Sequence, residues 1–265
     1  MPTPPMTEAC PERFVTLAER LADASGEIVR RHFRTGFSVD DKPDLSPVTI
    51  ADREAEAAMR LFIRDAFPEH GIVGEEYGAE RADAEYVWIL DPIDGTKSFV
   101  TGRPLFGTLI GLMRRNVPVL GIIDHPALGE RWIGATGQPT RFNGRNTKVR
   151  PCPTLDRAAL FASSPHMFEG AAADAFERVR QRSKQVLYGS DCYHYALVAS
   201  GFADLVIEAK MGLHDYLAVV PVIEGAGGKI TDWRGAPLDL HSGDRVLAAG
   251  DARIHAQALE ILAGA

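Results

Sequence analysis

Trp88-Ile89-Leu90-Asp91-Pro92-Ile93-Asp94-Gly95-Thr96 is an apolar run that stops at two aspartates, a glycine and a threonine. The β-branched and aromatic residues over 86–90 predict a buried strand, and the acids begin where that strand would leave its sheet. Ligand sites of α/β proteins tend to lie at such strand ends. Asp91 and Asp94 offer hard oxygen donors suited to Mg²⁺. Pro92 is expected to end the strand in a turn that aims both carboxylates at one point. Gly95 lets backbone approach a ligand closely, and Thr96 falls at an expected helix start, where N–H groups without acceptors favour a phosphate.

Around this stretch lies an ordinary globular composition: 265 residues, 45% hydrophobic and 25% charged, enough for one large domain or two packed halves. The net charge of −7 argues against nonspecific binding to nucleic acid or to an anionic membrane. No apolar run approaches the roughly 18–20 residues of a membrane helix. A phosphorylated substrate would therefore depend on metal ions to offset local repulsion. Cys10, Cys152 and Cys192 are scattered and lack metal-like spacing, which fits structural thiols in a reducing cytoplasm. Residues 1–11 are rich in proline and polar groups and read as a frayed tail without a signal-peptide pattern.

Helical spacing of Phe14, Leu17, Ala18, Leu21, Ala24, Ile28 and Val29 predicts a scaffold helix over 12–33, with Gly36 available to end it. After a loop over 40–47, Thr49-Ile50-Ala51-Asp52 has the form of a capping box and opens a second helix through Phe67, with Ala51, Ala55, Met59, Phe62 and Ile63 as its buried stripe. Strands over 105–113 and 117–123, turned at Asn116, and a third over 131–135 predict an antiparallel sheet covered by these helices.

The second half alternates: strand 159–163, helix 171–181, strand 185–188, helix 191–200 and strand 205–208. A helix over 216–224, kinked by Pro221, a strand at 246–249 and a last helix to Leu262 follow. A boundary is expected near Arg150-Pro151-Cys152-Pro153, giving halves 1–150 and 151–265.

Further acids are candidates to complete the site, each with a plainer role beside it. Glu75, in Gly74-Glu75-Glu76, follows the short apolar segment Ile72-Val73 and can reach the same ion as Asp91, although paired loop glutamates are commonly just solvated. Asp52 has the position of a cap, as does Asp215 after Gly212-Leu213-His214, and His214 reads as a hydrogen-bonded structural histidine.

In combination, Gly74-Glu75-Glu76, Trp88 to Thr96, and Asp215 before Gly225-Ala226-Gly227-Gly228 resemble the inositol monophosphatase family over nearly the whole chain. The resemblance implies a layered αβαβα sandwich of α+β or α/β class, two or three Mg²⁺ ions, hydrolysis of a small phosphate monoester by water, and a homodimer. By the same similarity Glu75, Asp91, the Ile93 carbonyl, Asp94 and Asp215 hold metal. Gly95 and Thr96 touch phosphate, Asp52 orients Thr96, and Glu75 with Thr96 and Asp52 forms the catalytic set.

Specificity must come from elsewhere, because the acids recognise only what all phosphate esters share. Gly189-Ser190-Asp191-Cys192-Tyr193 opens the helix that lines the leaving-group pocket in this family, where enzymes for inositol phosphates usually carry small residues at the place of Asp191. Gly189, Ser190, Asp191 and Glu208 are the expected substrate contacts, and Asp191 also fits a helix cap. Two carboxylates favour a cationic leaving group such as histidinol over neutral myo-inositol. Residues 95–110, Asp191-Cys192-Tyr193 and residues 218–228 are similar to the histidinol-phosphate phosphatase branch, which serves histidine biosynthesis. Leu187 departs from that branch, where an arginine often stands. The alternatives are an inositol-1-monophosphatase and a 3′(2′),5′-bisphosphate nucleotidase; a noncatalytic protein on the same fold is disfavoured by the intact acid set.

Overall fold

A computed structural model describes residues 8–35, 39–41 and 47–263. Gly36, most of the loop over 40–47 and the first seven residues of the expected tail lie outside these. The tail's end is fixed, not frayed: Cys10 is buried and its N–H donates to the Thr136 carbonyl.

The helices are α1 (Glu12–His32), α2 (Ile50–Ala66), α3 (Thr96–Val100), α4 (Ala171–Arg180), α5 (Tyr193–Ala199), α6 (Leu213–Tyr216), α7 (Val219–Gly225) and α8 (Ala252–Leu262). Strands β1 (Val39–Asp41) and β2 (Pro47–Thr49) form an antiparallel pair. A large sheet contains β3 (Gly71–Gly74), β4 (Gly78–Glu80), β5 (Tyr86–Asp94), β6 (Gly107–Arg114), β7 (Val117–His125), β8 (Glu130–Ala135), β9 (Arg141–Phe142) and β10 (Arg145–Asn146) in the order β10-β9-β8-β7-β6-β5-β3-β4. A smaller sheet contains β11 (Ala159–Ala162), β12 (Gln185–Tyr188), β13 (Leu205–Glu208), β14 (Lys229–Thr231) and β15 (Val246–Ala249) in the order β12-β11-β13-β15-β14.

Apolar cores on the faces of the two sheets divide these elements into five layers. One core joins Phe14, Leu17 and Leu21 of α1 and Met59 and Ile63 of α2 to the outer face of the large sheet through Trp88, Leu90, Ile110 and Ile122. The alternate residues Val87, Ile89, Leu109 and Ile123 face the other way, as the period of two requires. They meet α5 and α7, which also pack on Phe161, Val206 and Ala248 of the small sheet. A third core sets α4 and α8 on that sheet's far face. The order is helix, sheet, helix, sheet, helix, the expected αβαβα sandwich.

The large sheet is mixed and not purely antiparallel, because β3 runs parallel to β5. This pairing carries the chain from Gly74 directly beside Leu90, and the Glu75 N–H donates to the Leu90 carbonyl. Pro92 does not end its strand: β5 continues to Asp94 with a register irregularity between Asp91 and Asp94. A missing N–H is tolerated where the ladder is already interrupted.

The expected helix over 216–224 is two helices. Pro221 is the third residue of α7, where a backbone N–H has no intrahelical acceptor, so it starts a helix and kinks none. The turn leading into α7 lies on a row of glycines, Gly111, Gly121 and Gly134, which are cross-strand neighbours. A Cβ on Gly121 would sit 1.8 Å from the Ala218 carbonyl oxygen, and one on Gly134 2.2 Å from that of Pro221. Glycine there lets the helix backbone rest on the sheet, which carries Asp215 to the end of β5.

Candidate active site

The acids converge from three segments. Donor atoms of Asp91, Asp94 and Asp215 lie within 4.8 Å of one another, and so do donor atoms of Glu75, Asp91 and His214. Asp91 belongs to both groups. It is 1% exposed, and its Oδ1 has no hydrogen-bond partner. Burial, then repulsion from Glu75, Asp94 and Asp215, pushes its carboxyl well above the usual carboxylate range. Asp94 is raised by burial and by Asp191 and Asp215. Asp215 is raised by burial, against the opposing pull of His214 and of the Gly212 N–H, which donates to its Oδ2 at 2.7 Å. Carboxylates packed this closely repel unless protons or cations intervene. An all-oxygen set with an unsatisfied buried oxygen fits one or two divalent cations such as Mg²⁺.

Gly95 takes the left-handed conformation, φ 82°, and starts α3 at Thr96. The Ser98 and Phe99 N–H groups donate to the Gly95 carbonyl, while those of Thr96 and Lys97 have no acceptor within the helix. The Thr96 hydroxyl donates to the Ile93 carbonyl at 3.1 Å. The expected contact between Asp52 and Thr96 is not made. Asp52 closes the capping box of α2, its Oδ2 accepting from the Thr49 N–H at 2.8 Å and the Thr49 hydroxyl at 2.6 Å. Burial raises Asp52 to about 6 against those hydrogen bonds, with Glu76 and Glu75 adding repulsion. The first turn of α2 packs on Ile93 and Phe99 through Ala51 and Ala55.

Beside Asp94 and Asp215 opens a small cavity lined by Ser163, Met167, Asp191, Cys192, Tyr195, Glu208 and Met211. Asp191 is not a helix cap: α5 starts two residues later, and Asp191 has φ 46°. The Ser98 hydroxyl donates to its Oδ2 at 2.5 Å, and its carboxyl packs where a Cβ on Gly95 would stand. Burial raises Asp191, while Ser98, Arg103 and Lys97 pull it down. The Cys192 N–H donates to Asp94 Oδ2 at 2.6 Å, so the two walls are joined. Gly189 ends its approach with a carbonyl that accepts from Arg103 at 2.5 Å, bringing a guanidinium to the region where Leu187 supplies none; Ser190 accepts from the Tyr193 N–H. Glu208 is 1% exposed and accepts from the Ser163 N–H at 2.5 Å and its hydroxyl at 3.1 Å. Burial nevertheless pushes it up to about 8.

Two groups escaped the sequence reading. Glu56, fully buried, accepts from the N–H groups of Glu76 at 2.7 Å and Tyr77 at 3.2 Å and from Arg60 Nε at 2.7 Å, pinning the loop that carries Glu75. Its signal was an acid and a base four apart beside an apolar stripe, a pattern shared by countless exposed helices. His214, read as structural, turns its Nε2 toward the acids, 3.4 Å from Asp215 Oδ1 and 4.0 Å from Glu75 Oε1.

Residues 11–264 match the profile of the inositol monophosphatase family. The chain is 53% identical over 260 residues to the bifunctional phosphatase IMPL2, chloroplastic, of Arabidopsis thaliana, covering 95% of this chain and 75% of that one. It is 34% identical to a histidinol-phosphatase of Chlorobaculum parvum, covering 89% and 92%. Among solved structures it superposes on an inositol monophosphatase from Zymomonas mobilis with a TM-score of 0.88 at 45% identity, covering 95% and 98%.

Proposed function

We propose a substrate from one premise: this chain belongs to the inositol monophosphatase family and is a metal-dependent phosphatase acting on a phosphate monoester. The substrate we assign is L-histidinol phosphate, hydrolysed to L-histidinol and phosphate in histidine biosynthesis. The observation that carries this reading is the leaving-group cavity, which presents Asp191 and Glu208 and no basic side chain among its lining residues. A leaving group with an ammonium and an imidazole finds partners there: the Asp191 carboxylate for the ammonium, and Glu208, which keeps its proton up to about pH 8, for a ring nitrogen. The similarity to histidinol-phosphatases supports the same reading.

In this reading Glu75, Asp91 and the Ile93 carbonyl would hold one divalent cation, and Asp91, Asp94 and Asp215 would hold a Mg²⁺. Bound there, the ions neutralise phosphate charge, acidify water and stabilise the leaving alkoxide. The chain's own residues do the rest. Gly95 and Thr96 receive the phosphate oxygens, at a helix start whose Thr96 and Lys97 N–H groups have no acceptor within the helix. Glu75 positions the attacking water and takes its proton; Asp52, held by Thr49, and Thr96, held by the Ile93 carbonyl, act on the site separately and not as a relay. Ser98 fixes the Asp191 carboxyl, and Glu208 meets the leaving group from the floor of the cavity. Three buried cysteines without disulfides support a reducing cytoplasm, and a homodimer is an expectation supported by family kinship alone. Among the described residues no helix is long and apolar enough to cross a membrane.

One observation favours inositol 1-phosphate as a second reading: Asp191 is already engaged by Ser98, and a neutral polyol needs no further anion. A 3′(2′),5′-bisphosphate nucleotide is disfavoured, since a second phosphate would face Asp191 and Glu208. Phosphate release by the purified protein with Mg²⁺ across the three substrates separates these readings. Histidinol phosphate should give the highest kcat/KM; a higher value for either competitor overturns the assignment.

A further inference from the structure

His214 stands immediately before Asp215, its Nε2 3.4 Å from Asp215 Oδ1, and its ring also groups with donor atoms of Glu75 and Asp91 within 4.8 Å. Its Nε2 is 4.0 Å from Glu75 Oε1, and two ligand bonds of about 2.1 Å span up to ~4.2 Å, so both atoms can meet one ion with little movement. The third member of the group, Asp91, brings a buried Oδ1 that no hydrogen bond satisfies. Room for the imidazole is built into the backbone: a Cβ on Gly212 would lie 2.6 Å from His214 Cε1 and 2.9 Å from Nε2. The ring is only 27% exposed, so it is held among the acids and does not extend into solvent.

We propose that His214 is a nitrogen ligand of the ion held by Glu75 and Asp91, giving this position a preference for transition-metal dications over Mg²⁺. The inference rests on the assignment of Glu75 and Asp91 as metal ligands. Mg²⁺ takes oxygen ligands and keeps its water, whereas imidazole nitrogen is a good donor to Zn²⁺ and the later first-row dications, and Mn²⁺, the weakest binder of that row, is the paramagnetic probe that reports it. The companion position, built on Asp91, Asp94 and Asp215, offers carboxylates alone. The chain thus carries two unlike positions, one suited to a borderline metal and one to Mg²⁺.

The test uses Mn²⁺ alone, added stepwise to chelator-treated full-length protein and followed by electron spin-echo modulation and by binding titration. Wild-type protein should show ¹⁴N modulation that becomes ¹⁵N modulation when only histidine is ¹⁵N-labelled, a readout that needs no variant to fold. His214→Asn should lose the modulation and weaken Mn²⁺ binding by about tenfold or more, while Mg²⁺ affinity changes by less than about threefold. Gly212→Ala keeps the histidine, crowds its ring, and should reduce the same signal. Mn²⁺ binding to wild type without nitrogen modulation up to saturation overturns the imidazole ligand and leaves the acid site standing. Modulation that survives in His214→Asn also overturns it. Absence of Mn²⁺ binding overturns both this inference and the metal-site assignment beneath it.

Discussion

Asp91, Asp94 and Asp215 crowd their carboxylates on one wall of the cleft, whereas Asp191 and Glu208 on the facing wall each accept hydrogen bonds from a serine. Both walls are acidic and partly buried, and their carboxyl groups are raised for the same first reason, loss of water. They differ in what is near enough to compensate. On the metal wall Asp91 has three acids as its charged neighbours, and the Gly212 and Cys192 N–H groups with His214 offset only part of the charge on Asp215 and Asp94, so cations from outside are expected to complete the group. On the leaving-group wall the serine donors, with Arg103 and Lys97 near Asp191, supply part of the balance from within the chain. On the proposed function, one wall is filled by metal and the other discriminates among leaving groups.

If this division holds, the largest effect belongs to the metal wall. Asp91→Asn or Asp94→Asn at saturating Mg²⁺ should lower kcat by about 10³-fold or more, equivalent to ~4 kcal/mol. Wild-type turnover in both variants would remove the metal wall from the chemistry.

The next effect is on stability and concerns Glu208. Its folded-state value of about 8 lies above its ordinary 4.5, so between those values the native protein keeps a proton that the unfolded chain gives up. Its contribution is complete below pH ~4.5 and is lost as pH rises through ~8, on the order of 5 kcal/mol in all. Urea unfolding of metal-free protein over this range should show a steeper decline for wild type than for Glu208→Gln. Parallel curves would mean that Glu208 is ionised in the apo-protein and that burial does not hold a proton on this wall.

Chelation comes third. Mg²⁺ at 100 times its dissociation constant should raise stability by ~2.7 kcal/mol through mass action, or roughly 5–10 °C in Tm for a chain of this size. Thermal melts with EDTA and with Mg²⁺ check this; a Tm indifferent to Mg²⁺ would contradict an acid cluster awaiting cations.

The smallest change sharpens the comparison from the other side. Asp191→Ala should narrow the preference for histidinol phosphate over inositol 1-phosphate by about tenfold, ~1.4 kcal/mol, with phosphate release on both substrates as the measure. An unchanged ratio would take Asp191 out of specificity and leave it as the partner of Ser98.

The metal wall was the more legible of the two because much of it is local. Asp91, Asp94, Gly95 and Thr96 share one strand end, and the Thr49–Asp52 capping box is a four-residue pattern that the structure reproduces. The misreadings arose where a local rule met a tertiary constraint. Pro92 was expected to stop a strand, but a register irregularity absorbs it. Pro221 was expected to kink a helix, but the chain breaks earlier to lie on Gly121 and Gly134. Asp191 had the form of a cap, yet its carboxyl crosses to Ser98, 93 positions away in the chain.

What the sequence by itself determined is the chemistry that short spacing can encode: an apolar strand, hard oxygen donors at its end, a glycine turn and a helix start. The tertiary structure alone decided which distant groups join them and in what protonation state. The parallel pairing of β3 with β5 delivers Glu75, and helix seating on bare glycines delivers Asp215. Gly212 makes room for an imidazole among the acids. Burial then sets whether Glu208 carries a proton. These outcomes depend on distance and on exclusion of water, and neither is a property of neighbouring residues in a chain.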